Sequence, residues 1–185
     1  VASAGVGAVE GKPAAVTRGP SAFTLDTGDV RAVSDTETGV LEAFGPARRN
    51  VPVRGPLLNI WRAPPDNDGL PLMFDDPWQQ TKVLARWVAV GLDKLVHRLA
   101  SIKVVDGASG QPAVEIVHRA SGRDRWSDFT HTHRYTLLPS GELEVANTVQ
   151  LGSGIEDLPR VGVTLILPAG MEQLEWFGRG PWENY

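Results

Sequence analysis

The chain contains no cysteine. That absence removes disulfides, thiolate metal sites and cysteine nucleophiles together. It fits a reducing compartment, so the expected location is the cytoplasm. No apolar run approaches the roughly 20 residues needed to cross a bilayer, and no membrane partner is expected. Basic residues are the minority: 18 Lys and Arg against 22 Asp and Glu leave a net charge of −4, which argues against a nucleic-acid partner. There is no Gly-x-Ser-x-Gly, no phosphate-cradling glycine loop at a helix start and no His-Glu-x-x-His. The start, Val1-Ala2-Ser3-Ala4-Gly5, has no basic region and does not read as a signal peptide.

Turn formers are plentiful instead, with 20 Gly and 14 Pro in 185 residues and no collagen-like period. With a 42% hydrophobic share, that excess points to a well-cored fold with many turns, as in all-β proteins. Residues 1–22 are Ala/Gly/Val/Pro-rich and aperiodic, and read as a linker or a tie to a preceding domain. From residue 23 to 185 the pattern is that of strands. Phe23 to Leu25 and Val30 to Val33 flank Asp26-Thr27-Gly28-Asp29, a hairpin loop with glycine at the positive-φ position. Further strands are expected at Val40 to Phe44, Gly55 to Arg62, Leu95 to Val105, Ala113 to Arg119, Val161 to Leu167 and Met171 to Phe177. Phe129 to Leu138 and Leu143 to Leu151 alternate around Pro139-Ser140-Gly141 and predict a hairpin. One segment breaks the strand period. Asp76 and Pro77 can start a helix, Trp78, Leu84, Trp87 and Val88 follow its spacing, and Gly91 can stop it, so a helix is predicted over 77–90. The composite is an antiparallel β-sandwich with one helix.

The candidate chemistry is thin. Asp66-Asn67-Asp68-Gly69 has its glycine too early for a calcium loop, and the expected role of its carboxylates is to hold the loop by Asx turns. His131 and His133 share a strand face, an arrangement that can bind a metal given a third ligand. Phe129, Tyr135 and Leu137 on the same face favour packing instead. His97 and His118 lie on other predicted strands. Of the six tryptophans, Trp78 and Trp87 read as core anchors, whereas Trp61, Trp126, Trp176 and Trp182 could fill the core or stack on sugar faces.

Two segments carry a family likeness. Asn59-Ile60-Trp61-Arg62-Ala63-Pro64-Pro65-Asp66-Asn67-Asp68 and Trp176-Phe177-Gly178-Arg179-Gly180-Pro181-Trp182-Glu183-Asn184-Tyr185 resemble two segments of the large β-galactosidases of glycoside hydrolase family 2, in the same order. Between them, Ala85-Arg86-Trp87-Val88-Ala89-Val90-Gly91 resembles a helix end of that family. The matching region, roughly 23–185, is the first part of the C-terminal small-chain domain, truncated at Tyr185. The resemblance implies an antiparallel β supersandwich of the galactose-mutarotase-like kind. It implies a parent that hydrolyses terminal β-D-galactosides with two glutamates on an upstream barrel. Glu142, Glu144, Glu172, Glu175 and Glu183 therefore inherit no catalytic role, and the isolated chain is expected to be inactive. The same resemblance places the magnesium and monovalent cations of the family in the catalytic domain, with no cofactor or metal held here. It also implies that the loop around Trp87, Gly91, Leu92 and Asp93 approaches the substrate as part of the active-site wall. The implied partners are the catalytic barrel and other domains of the parent chain, and exposed strand edges invite self-association. The alternatives are a stand-alone carbohydrate-binding module and a purely structural or oligomerisation domain.

Overall fold

A computed structural model describes residues 11–69, 82–107 and 110–178. Among these residues, ten strands form two antiparallel sheets. The first sheet contains β1 (Ala15–Arg18), β2 (Ala22–Asp26), β3 (Val30–Asp35), β4 (Leu41–Pro46), β5 (Val51–Asn59) and β10 (Gly162–Ile166), in the order β1-β2-β3-β4-β5-β10. The second contains β6 (Val96–Asp106), β7 (Pro112–Ser121), β8 (Phe129–Leu137) and β9 (Leu143–Leu151), in sequence order.

Period-two patterning puts one face of each sheet inward. Phe23, Leu25, Ala32 and Leu41 from the first sheet meet Val114, Ile116, Tyr135 and Leu137 from the second in one buried cluster. That contact makes the molecule the expected all-β sandwich. A second cluster, beneath the one α-helix among the described residues, joins Leu58, Ile60, Trp87, Leu92, Ala120, Phe129 and Ile155.

Both predicted hairpins form. Gly28 has φ 97°, and the Asp26 carboxylate accepts its N–H at 2.6 Å. Gly141 has φ 88°, and β8 pairs β9 in unbroken register from Phe129 opposite Leu151 to Leu137 opposite Leu143. Four details depart from the expectation. Ala15–Arg18, inside the stretch read as a linker, is a strand at the edge of the sheet that, among the described residues, pairs with β2 alone. Its pattern is faint because a four-residue edge strand needs few apolar side chains. β5 starts at Val51, well before Gly55. Its Pro52 and Gly55 sit beside register shifts against β4, where a missing N–H is tolerated. Met171 to Phe177 forms no strand, because among the described residues no ladder pairs with it. The helix, α1, is shorter than expected at Val83–Ala89, since Lys82 before it is extended with ψ 152°. Asp76, Pro77 and Trp78, which were to start it, lie outside the described residues.

Candidate functional site

The segment from Asn59 to Asp68 leaves the end of β5 and packs against α1. Asn59 makes the turn out of the strand: its side-chain oxygen accepts the Trp61 N–H at 2.9 Å, and its amide nitrogen donates to Thr164 Oγ1 on β10 at 3.1 Å. Arg62 then becomes the hub. Its Nη2 donates to Asp68 Oδ1 at 3.1 Å, its Nη1 lies 2.6 Å from Asp68 Oδ2, and its Nε donates to the Pro159 carbonyl at 3.2 Å. The guanidinium also lies over the Trp87 ring, 5.5 Å from the centroid. Asp66–Asp68 forms one 3-10 turn with no side-chain cap, closed by Gly69 at φ 105°. The expected Asx turns give way to the Arg62–Asp68 ion pair, and Asp66 points to solvent while Asp68 is buried.

Trp87 is the anchor the sequence suggests, 4% exposed. Its ring meets Trp61 edge-on at 6.5 Å, and its indole N–H donates to Asp157 Oδ1. The neighbouring Arg86 donates to the other oxygen of the same carboxylate. Asp157 thus ties α1 to the loop before β10, a role nothing in its local sequence signals. Pro159 on that loop receives Arg62, so motif, helix and loop form one polar-aromatic knot.

Gly91 stops α1, with φ 73°. A Cβ there would stand 2.5 Å from the Gly122 carbonyl oxygen, and a Cβ on Gly122 would stand 1.8 Å from the Gly91 oxygen. Two glycines pressed backbone to backbone thus dock the loop after α1 onto the β7–β8 connection. Leu92 follows, 1% exposed in the second core, while Asp93 faces solvent. Of the four expected loop residues, Trp87, Gly91 and Leu92 are therefore interior and Asp93 presents its side chain. The β7–β8 connection is itself braced. Arg123 clamps Asp128 with two bonds of 2.9 Å, and Ser121 Oγ donates to Asp128 at 3.0 Å. Burial alone would raise the Asp128 pKa, but the Arg123 and Ser121 hydrogen bonds outweigh it and hold the carboxyl below its ordinary range.

The histidines fall in the core between the sheets. His118, His131 and His133 are all at most 2% exposed. His118 Nδ1 lies 2.8 Å from His133 Nε2, and His118 Nε2 lies 2.8 Å from the Thr38 carbonyl. His131 Nε2 lies 3.0 Å from Asn147 Oδ1. Among the described residues no group of three or more His, Asp or Glu side chains is arranged to hold a metal ion. His131 and His133 are fully buried on the β8 face they share with Phe129, Tyr135 and Leu137. Of the tryptophans that could stack on sugar, Trp61 is half-buried against Trp87, and Trp126 is capped by the Arg98 guanidinium at 3.8 Å. Trp176 is 70% exposed, and Trp78 and Trp182 lie outside the described residues. Glu142, Glu144, Glu172 and Glu175 are scattered on the surface, and Glu183 is outside the described residues. No described helix is long and apolar enough to cross a membrane.

A model of the family described as beta galactosidase small chain matches residues 26–185. A beta-galactosidase of Psychromonas ingrahamii is 32% identical over 152 residues, covering 82% of this chain and 14% of that protein. A beta-galactosidase of Vibrio cholerae is 33% identical over 157 residues, covering 80% of this chain and 14% of that protein. A beta-galactosidase of Kluyveromyces lactis is 23% identical over 179 residues, covering 94% and 16% respectively. The chain thus spans about 14% of the length of the first two curated relatives.

Proposed function

Because the chain belongs to the β-galactosidase small-chain family, we propose that it serves as a non-catalytic domain of a larger β-galactosidase, an enzyme that hydrolyses terminal β-D-galactosides. It braces the catalytic barrel of the parent chain and lends the loop after α1 to the active-site wall. The observation that carries this reading is the use made of the motif residues. Arg62 and Asp68 neutralise each other, Trp61 and Trp87 are packed, and Asp157 is bonded to α1. What the knot delivers is a loop held in place, with Asp93 as the side chain available to a substrate or to a neighbouring domain. Trp87 and Leu92 act from the interior by fixing that loop. The magnesium and monovalent cations of the parent belong to its catalytic domain in this reading. In this reading the parent works in the cytoplasm, a location that the cysteine-free composition supports and fractionation of the source cells tests.

The activity test is direct. The purified 185-residue chain should give no turnover of a chromogenic β-galactoside above a heat-killed control. Turnover that co-purifies with the chain at constant specific activity would overturn the reading. In the parent enzyme, Asp93→Ala should change KM or kcat while leaving the melting temperature unmoved. Identical kinetics would remove the loop from the active-site wall.

A second, compatible reading concerns partners. On β10 and the residues beside it, Val161, Val163, Leu165, Ile166 and Leu167 are each at least 41% exposed, and β10 is the outer strand of its sheet. An apolar sheet edge of this kind pairs with other chain. In the isolated molecule the available chain is a second copy, so light scattering should show mass rising with concentration. A constant monomer mass up to millimolar concentration counts against it.

A further inference from the structure

The three buried histidines have a hydrogen-bond logic that the proposed function does not use. The Thr38 carbonyl can only accept, so His118 Nε2 carries a proton and donates to it. A neutral His118 then has a bare Nδ1, which accepts from His133 Nε2–H. His131 Nε2–H donates to Asn147 Oδ1. All three rings are therefore neutral, protonated at Nε2 and bare at Nδ1. The Nδ1 atoms of His131 and His133 are buried without a partner. Every further proton must enter one of these Nδ1 positions. On His118 it expels the bond from His133, and on His131 or His133 it finds no acceptor. The rings of His131 and His133 are 3.9 Å apart, so a first charge also opposes a second.

The other end of this chain of bonds lies in the opposite sheet. Thr38 belongs to the β3–β4 turn, and a Cβ on the adjacent Gly39 would stand 2.6 Å from Leu99 Cδ1 and 3.2 Å from His118 Cε1. The turn is thus pressed against the face of the second sheet at His118. We propose that His118, His131 and His133 form an acid-released latch between the two sheets: at neutral pH His118 holds the β3–β4 turn through Thr38, and because the packed cluster has no acceptor for a further proton, acid favours the state in which the turn has parted from it.

The surroundings do little to shelter a charge. From β9 the cluster meets Asn147, and from β8 it meets Tyr135, whose phenol is pushed above its ordinary pKa by burial. From β6 comes His97, bonded to the Leu58 carbonyl at 3.1 Å. The open cleft beside His97 and His118 is lined by Glu37 on the turn, Glu42 on β4, Arg54 on β5 and Arg98 on β6, two charges of each sign. Burial, as the first cause, pushes all three cluster histidines below their ordinary pKa, and His133 down to about 2, where the neighbouring imidazoles add to the effect. The released state binds protons from about pH 6.5 downward while the latched state does not, so release becomes favoured as the pH falls below that value.

Hydrogen exchange in the full chain tests this. The reporters are the Gly39 N–H, donated to the Asp35 carbonyl, and the Asp35 N–H, donated to Val40. After correction for intrinsic rates, their protection should fall about tenfold per pH unit for each proton taken up, between pH 6.5 and 5.0. Protection of the Leu138 N–H in the β8–β9 turn should stay constant over that range. His131→Leu removes one proton-taking ring but not the bond to Thr38, so the β3–β4 turn should still respond to acid, with a shallower slope than in the wild-type chain. His118→Leu should leave the turn poorly protected at every pH. Constant turn protection in the wild-type chain from pH 7.5 to 5.0 would overturn the proposal, as would an unchanged acid response in a folded His118→Leu chain. If that variant does not fold, the wild-type profile and His131→Leu decide the matter.

Discussion

Asp68 and Gly122 show how single residues hold the region around α1. Asp68 is buried beside Arg62, which among the described residues is otherwise bonded to carbonyls, so removing the carboxylate takes away the counter-charge of a guanidinium that lies over Trp87. Asp68→Ala should cost about 1.5–3 kcal/mol in urea unfolding, the range for losing hydrogen bonds to a charged group, since the Arg62 side chain is a third exposed. Arg62→Ala in the same background should then add little, and a double-mutant cycle reads that coupling. By contrast, the Arg86 side chain is half exposed, and Arg86→Ala should cost about 0–1 kcal/mol through its ion pair with Asp157. Gly122 is the more exacting position. A methyl group there would overlap the Gly91 backbone, which has no flexible end to move aside. Gly122→Ala should lower the melting temperature and detach the loop carrying Asp93, seen as increased exchange at the Lys94 N–H that Gly91 receives. An unchanged melting temperature would mean that the two backbones slide apart at little cost.

At the scale of elements, α1 has seven residues, too few for a helix to persist alone, so its stability comes from the surface it packs on. Trp87→Ala should cost about 3–5 kcal/mol and melt the helix signal together with the tertiary signal. The same dependence explains which elements could be read from the sequence. β8 and β9 announce themselves because strict alternation and a Pro-Ser-Gly turn agree with each other and with the core. Gly91 was readable as a stop for the same reason. β1 and the start of β5 were not, because a short edge strand and a strand containing prolines carry their meaning in the neighbours they find. Met171 to Phe177 shows the converse, since an apolar stretch becomes a strand only when a ladder receives it. The candidate site divides likewise. Trp61, Arg62, Asp68, Trp87 and Gly91 were visible as a family pattern, but Asp157 and Gly122, which complete the knot, sit in stretches whose role is fixed only by the fold.

The molecule as a whole should lose stability toward acid in two stages. All four histidines have pKa values pushed below the ordinary one, burial being the first cause for each. Their folded forms refuse protons that the unfolded chain accepts, so their contribution is complete above about pH 6.5 and is lost below it. Each contributes a slope of about 1.4 kcal/mol per pH unit where it is active. A second stage lies lower. Asp128, Asp35 and Glu115 are held below their ordinary range, Asp35 chiefly by the Thr38 hydroxyl and Glu115 chiefly by Arg134. Their contribution is present above about pH 4 and fades as the pH falls through their folded values. Urea midpoints at half-unit steps from pH 8 to 3 should therefore decline from pH 6.5 onward, then again below about pH 4. A flat profile from 7 to 5 would show that the imidazoles protonate without cost.

The order of strands in the first sheet has a mechanical side. β1 and β10 are its two outer strands, with four others between them. At about 4.8 Å per step, the edges stand roughly 24 Å apart. A force that draws those edges away from each other acts along the hydrogen bonds and loads one ladder at a time. The sheet should therefore part by unzipping, at low force and in small steps, beginning at the four-residue β1 ladder. The second sheet, tied to the first through packed side chains, would stay whole until the core opened.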